Sequence, residues 1–333
     1  MKRKKEDYRD MPLKERIEEA DNIFIELPQA KRVLSSLKRC HLMSSRKKRE
    51  PDCLFIAGWP GCGKSYTIDY YLKNYPMKTI NDVRKVPVLK SELFSTATVK
   101  NLASGLLQDL GDPFYDKGTT KGISDRLLEQ LEACDVELII IDEFQHIIDS
   151  GSNKIVYNTA DWLKILLNRS RISIVLLGVP WTTAVLKQNS MLRRRFLAPM
   201  ELKPFTWSTE AESKRFRKFV GYADTNMPLA ENSRLSEPSM ALRLFCASEG
   251  VISDLMRIIK RGMELAVEDG KERIMDKHLA TAYVEIKNIP PNPFSVPIEK
   301  LDSRAVNPYI EWYARIPEKT REKFLPSDLK AKG

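Results

Sequence analysis

Hydrophobic runs and polar intervals divide the chain into two parts of different character. CLFIA (53–57), VPVLK (86–90), VELIIID (136–142) and ISIVLLGV (172–179) read as strands. The last two are continuous apolar runs rich in Ile and Val, which suits strands buried on both faces of a parallel sheet. Helical patterns lie between them: YTIDYYLKNY to about Tyr75, Thr98 to Leu110 from a threonine cap, and Ser124 to Cys134. Upstream, Ile25, Val33, Leu34, Leu37 and Leu42 recur at roughly helical spacing, with Pro28 suited to a first turn. Strands alternating with helices predict an α/β layered fold with ligand chemistry at the carboxyl ends of the strands.

From PFTWSTEAE (204–212) onward no comparable strand pattern appears. AESKRFRKFVGYA, SMALRLFCASEG, VISDLMRIIKRGMELAVEDG and MDKHLATAYVEIKN read as a small all-helical domain, which IPPNPFSVP ends. The expected organisation is a basic N-terminal segment (1–50), an α/β domain (51–205), a helical domain (206–288) and a tail (289–333). Within that tail, Trp312 and Tyr313 lie among charges, as in a partner-docking segment or a packed extension.

Charge and cysteine content narrow the setting. The 333 residues carry a formal net charge of +10 and a pI near 9.2, a balance that favours a polyanionic partner. Cys40, Cys53, Cys62, Cys134 and Cys246 show no CxxC spacing, and His41, His146 and His278 complete no zinc pattern. Reduced thiols in a cytoplasmic setting are the expectation. MKRKKEDYRDM begins with positive charge but no apolar stretch follows it, and no segment approaches the ~18 apolar residues that span a bilayer.

The chemistry begins in GWPGCGKS (58–65), which joins the first strand to a helix start. Backbone N–H groups of Gly61, Cys62 and Gly63 converge on a phosphate when glycine lets the loop curl, and the helix dipole adds to the attraction. Lys64 then reaches the outer phosphates and the Ser65 hydroxyl ligates Mg²⁺. Gly58, Pro60 and Tyr66 complete the expected nucleotide-contacting stretch, with Cys62 a small inert filler. About eighty residues downstream, LIIIDEFQH delivers Asp142 to the magnesium and Glu143 beside it to an attacking water. A water-orienting glutamate favours hydrolysis over transfer to a metabolite. MLRRRF (191–196) supplies guanidinium groups suited to charge on a transferring γ-phosphate, from a neighbouring subunit if need be.

GWPGCGKS, IIIDEF, RRRF and the helical domain behind them together resemble an AAA+ ATPase, a P-loop NTPase with a parallel sheet core and a helical lid. IELPQAKRVLSSL, ELIIIDEFQHI, LLNRSRISIVLLGVPWTTAVL, RRRFLAPMELKPF and NPF (292–294) resemble the TniB/TnsC family of ATPases that regulate transposition. The resemblance implies an ATP- and Mg²⁺-dependent homo-oligomer, ring or helical filament, assembled on double-stranded DNA in the cytoplasm at the nucleoid. Such an oligomer links a target-selection factor to the transposase subunits, and hydrolysis drives disassembly. Carried onto this chain, the resemblance makes Arg194 and Arg195 the preferred trans-acting fingers. It also points the loops after the second strand toward DNA, with Lys90, Thr96, Thr98, Lys100, Lys117, Thr119, Thr120 and Lys121 as candidate backbone contacts.

The chain departs from the AAA+ pattern at two places. Gly178 and Val179 stand where a polar sensor residue is expected at the end of the fourth strand, with Thr182 and Thr183 only later. No arginine opens EGVISDLMRII as a second sensor would, and Arg257 is out of place. A replication initiator or helicase loader, and a P-loop small-molecule kinase, are the competing readings.

Overall fold

The four apolar runs become four adjacent strands. The computed structural model describes residues 5–44, 50–94, 98–149, 152–187 and 189–301. The RKKR cluster at 46–49, Thr96, Trp312 and Tyr313 fall outside the described residues. In chain order the strands are β1 (Leu54–Gly58), β2 (Lys78–Ile80), β3 (Val83–Lys85), β4 (Val88–Glu92), β5 (Leu138–Asp142), β6 (Ser173–Gly178) and β7 (Met200–Leu202). Five of them form one sheet in the order β4-β5-β6-β1-β7, and every pairing in it is parallel. All residues of β1, β5 and β6 are buried, as expected for strands covered by helices on both faces.

Besides the short strand β7 and helix Leu13–Asp21, a hairpin and a long helix have no counterpart in the sequence reading. β2 and β3 form an exposed hairpin whose turn residues, Asn81 and Asp82, both adopt positive φ, the conformation a two-residue hairpin turn requires. The helix Asn153–Ser170 is the other, capped by Ser152 and burying Val156, Ala160, Leu163 and Leu167. Helix Val99–Leu110 starts at its threonine cap as expected. Helix Thr120–Ala133 starts four residues earlier than the expected Ser124, because the Thr119 hydroxyl accepts from the Gly122 N–H at 3.2 Å. Thr120 and Lys121 therefore belong to a helical first turn, not to a loop. In helix Pro28–Ser44 the buried stripe runs through Ala30, Val33, Leu37, Cys40 and Ser44, which leaves Leu42 exposed.

The chain divides into two units at different points from those expected. Among the described residues, one unit is continuous from Pro28 to Lys203 and holds the sheet; the other combines residues 5–27 with residues 204–301. The first residues thus belong with the helical part instead of leading only into the α/β core. Within the helical unit, Arg16 on helix Leu13–Asp21 is buried and grips Glu272 through both guanidinium nitrogens at 2.9 and 3.1 Å. Its Nε donates to the Met11 carbonyl at 2.9 Å.

Phe216, Phe219, Phe245, Leu255, Ile258 and Leu279 form the centre of that unit's core. Gly250, at φ +73°, admits a backbone approach: its carbonyl accepts from the Phe205 N–H at 2.8 Å, and a Cβ there would meet the Phe205 carbonyl oxygen at 2.2 Å. Phe294 of the NPF element is buried in the same core, so at least this part of the expected tail is packed structure.

Candidate nucleotide site

β1 delivers the chain to a loop whose conformation is set by Gly61 and Gly63, at φ +75° and +84°. Helix Lys64–Leu72 follows with Gly63 as its N-cap and no side-chain hydrogen bond to its first turn. Helices Val99–Leu110, Thr120–Ala133 and Asn153–Ser170 differ, each having a hydroxyl on its leading N–H groups. Uncapped N–H groups and a positive helix end form an anion cradle. Gly58 keeps it tight, because an added Cβ would lie 3.0 Å from both the Leu202 carbonyl oxygen of β7 and the Lys64 Cγ.

Lys64 is buried, and its Nζ donates to the carbonyls of Gly58 at 2.7 Å and Trp59 at 3.2 Å. Burial pulls its pKa below the usual lysine value, opposed by Glu143 and Asp142. The ammonium thus sits in the loop that a phosphate would enter, held by neutral carbonyls that an anion outcompetes. Cys62 is buried beside it, and burial pushes its thiol up to about 12 despite Lys64, which makes it inert as a nucleophile. Pro60 and Tyr66 are exposed at the rim.

Asp142 ends β5, buried, two strands from β1 with β6 between. The Ser65 hydroxyl donates to its Oδ2 at 2.7 Å, and the Glu143 N–H donates to its Oδ1 at 2.8 Å. A hydroxyl and a carboxylate in contact at the mouth of a phosphate loop are the hard oxygen donors that Mg²⁺ takes while keeping most of its waters. Glu143 has φ +53°, a strained value for a residue with a Cβ, and its carboxylate accepts from the Gln145 side-chain amide. The expected pair Ser65 and Asp142 is thus in direct contact, with Glu143 adjacent.

The arginines separate. Arg195 is bound within its own unit: it grips Glu50 at 2.6 and 2.7 Å and donates to Asn168 at 3.2 Å. Arg193 and Arg194 are exposed. This turn is fixed to the beginning of β1, where Cys53 N–H donates to the Arg195 carbonyl at 2.8 Å and Leu197 N–H to the Cys53 carbonyl at 2.9 Å. The phosphate loop leaves the other end of β1, roughly 17 Å away at about 3.3 Å per residue. The arginine turn and the phosphate loop thus lie at opposite ends of β1.

The candidate DNA-contacting residues are only partly gathered. Thr98, Lys100 and Thr120 line an open groove of about 530 Å³, and Lys154 and Asn158 of the unforeseen helix line its other side. Lys117 is exposed and lies 3.6 Å from Asp116, while the Thr119 hydroxyl is spent as a cap. Lys121 is exposed one residue beyond Thr120. Lys90 is not part of this set: its Nζ pairs with Asp69 of helix Lys64–Leu72 at 2.6 Å. Its neighbour Ser91 faces Gly105 of helix Val99–Leu110, and alternation along β4 directs Lys90 to the opposite face. Among the described residues no cluster of His, Cys, Asp or Glu forms a further metal site, and no helix is long and apolar enough to cross a membrane.

The family model of the bacterial TniB protein matches residues 16–207, more than half of the chain, from within helix Leu13–Asp21 past the arginine turn. The chain belongs to the TniB family. No functionally curated protein matches it in sequence. Its structure resembles the ORC2 protein of Aeropyrum pernix in ADPNP–ADP complexes, at 16% identity and a TM-score of 0.57, over 85% of this chain and 73% of that one. The Cdc6p protein of Pyrobaculum aerophilum aligns at 15% identity and a TM-score of 0.58, over 81% and 70%. The Aeropyrum pernix ORC1 protein in complex with DNA aligns at 15% and 0.54, over 79% and 66%. At these identities the likeness is one of fold, and the fold of this TniB-family chain is the AAA+ P-loop fold.

Proposed function

We propose that this TniB-family protein is an Mg²⁺-dependent ATPase that assembles on duplex DNA and regulates transposition, linking a target-selection factor to the transposase, with hydrolysis ending the assembled state. The observation that carries the ATPase reading is the contact of Ser65 with Asp142 at the mouth of the phosphate loop, with Glu143 next in the chain. In this reading the loop amides of Gly61 to Gly63 and Lys64 hold the phosphates. Ser65 and Asp142 would hold Mg²⁺, whose chemistry there would be to offset charge on the phosphoryl oxygens. Glu143 takes the proton of the attacking water.

Two further observations support the assembled form. Arg194 is exposed at the far end of β1 from its own phosphate loop, as a trans-acting finger needs. The net charge of +10 and the groove between Lys100 and Lys154 suit a polyanion held by its backbone. The transposition assignment draws on family membership. The likeness to origin-recognition proteins is one of fold and fits a replication initiator as well, so capture of a transposase subunit by the ATP-bound protein is the discriminating measurement.

Glu143→Gln tests the core of the proposal. The variant is expected to bind ATP and Mg²⁺, to lose hydrolysis by about 10²–10⁴-fold, and to stay on DNA longer. Normal hydrolysis by this variant refutes the role of Glu143. A wild-type chain that remains monomeric with ATP, Mg²⁺ and duplex DNA refutes the assembly.

A further inference from the structure

β6 lies between β5 and β1, so the residues that follow it emerge between Asp142 and the phosphate loop. The sequence puts a bare glycine there. The space beside Gly178 is instead approached by two side chains from other elements: a Cβ on Gly178 would lie 3.1 Å from the Thr182 hydroxyl oxygen and 3.4 Å from Gln145 Oε1. Thr182 belongs to the 3₁₀ turn Pro180–Thr183 and is fully buried. Neither its hydroxyl nor Gln145 Oε1 has a hydrogen-bond partner among the described residues. Buried polar atoms are nearly always paired, and two adjacent exceptions call for an explanation.

The other end of Gln145 answers it. Its amide nitrogen donates to the Glu143 carboxylate, so one side chain touches both the water-activating group and the space beside Gly178. Trp181, directly before Thr182, packs edge-on against Trp59 of the phosphate loop with ring centroids 5.9 Å apart. The phosphate loop and the turn that carries Thr182 are thus in direct contact.

We infer that Gln145 is a positioning residue for Glu143, and that the Thr182 hydroxyl is the group through which the site distinguishes ATP from ADP. This rests on the ATPase reading above. The hydroxyl donates toward the terminal phosphate or the water in line with it, completing the pairing it lacks among the described residues. The amide of Gln145 is neutral: it fixes one carboxylate oxygen of Glu143 without neutralising the base and leaves the second oxygen for the water. The role that a polar strand-end residue would fill is thereby moved from Gly178 to a turn four residues later.

The experiment uses the full chain and fluorescent ATP and ADP analogues with Mg²⁺, comparing Thr182→Val, Thr182→Ser and Gln145→Ala with wild type. Thr182→Val should keep ADP affinity within about twofold and lose about tenfold or more of the preference for ATP, the worth of one hydrogen bond to a charged group. Thr182→Ser should restore that preference. Because valine replaces an unpaired buried hydroxyl with a methyl of similar shape, the nucleotide-free melting temperature of Thr182→Val should be equal to or above that of wild type. Gln145→Ala should lower kcat about tenfold or more at unchanged KM.

Wild-type ATP-over-ADP preference in Thr182→Val overturns the role of Thr182. A lowered melting temperature with that preference intact marks the residue as packing only. Equal kcat in Gln145→Ala overturns the positioning role. Failure of the wild type to bind either nucleotide is a different result, and it overturns the ATPase reading together with this inference.

Discussion

Gly58→Ala isolates the closest packing in the nucleotide site. An added methyl group meets the Leu202 carbonyl oxygen and the Lys64 Cγ at 3.0 Å, and the Lys64 Cδ at 3.1 Å, all well inside the roughly 3.5–4.0 Å at which dispersion contacts are favourable. The lysine stem can swing away, but the carbonyl belongs to β7, which pairs with β1 at that register. Overpacking of this kind costs about 1–3 kcal/mol. The entropy lost from the unfolded chain returns about 0.4–1 kcal/mol, because the φ of Gly58 is open to alanine.

At the middle of both ranges the balance is a destabilisation of about 1.3 kcal/mol, which lowers the melting temperature of a unit this size by roughly 3–5 °C. Displacement of the Lys64 stem adds a separate effect on binding, expected at tenfold or more in ATP affinity, as for one hydrogen bond to a charged group. Differential scanning fluorimetry and a fluorescent-nucleotide titration on the same sample read the two effects. An alanine variant that melts and binds like wild type would refute the claim that Gly58 is retained for close approach.

Arg194→Ala should abolish the stimulation of hydrolysis on assembly, by about 10³-fold, and copies lacking Arg194 should regain it when mixed with copies carrying Lys64→Ala. Arg195→Ala should leave that stimulation intact and cost under about 1 kcal/mol, since its partner Glu50 is exposed. Lys154→Ala should reduce the salt slope of DNA binding by about one, with little dependence on base sequence, whereas Lys90→Ala should leave it unchanged; fluorescence anisotropy across a salt series distinguishes them. His41 is buried between Tyr71 and Glu137, and burial lowers its pKa below the usual 6.5. The unfolded chain then binds the proton first, so stability is full above about 6.5 and falls as pH drops toward the lowered value. His41→Gln should flatten that part of the melting profile.

The pieces legible in the sequence are those written in consecutive residues. β5 and β6 are unbroken apolar runs, and GWPGCGKS sits between a strand and a helix, so the pairing of Ser65 with Asp142 was foreseeable from two local motifs. β7 escaped because three residues carry no period, and the sheet accepts it only through β1. The helix Asn153–Ser170 left a readable signal, a serine cap followed by Val156, Ala160, Leu163 and Leu167 at helical spacing. Lys90 entered the candidate DNA contacts through the family resemblance, and its pairing with Asp69 is a tertiary contact that no local motif records. Nothing in KERIEEAD announces that Arg16 finds its partner at Glu272, since that pair is a product of tertiary folding alone.

Arg16 and Glu272 also carry a lesson about the order of synthesis. Helix Leu13–Asp21 is synthesised before the α/β unit, yet the core it joins is finished only when the helices beyond Pro204 follow, after the entire α/β unit has been made. Until then its apolar face has no partner. The α/β unit, being one uninterrupted stretch, can fold in the meantime. A fragment beginning at Pro28 should retain a nucleotide site while exposing the surface that Ala20 and Ile17 cover, and so trade solubility for brevity.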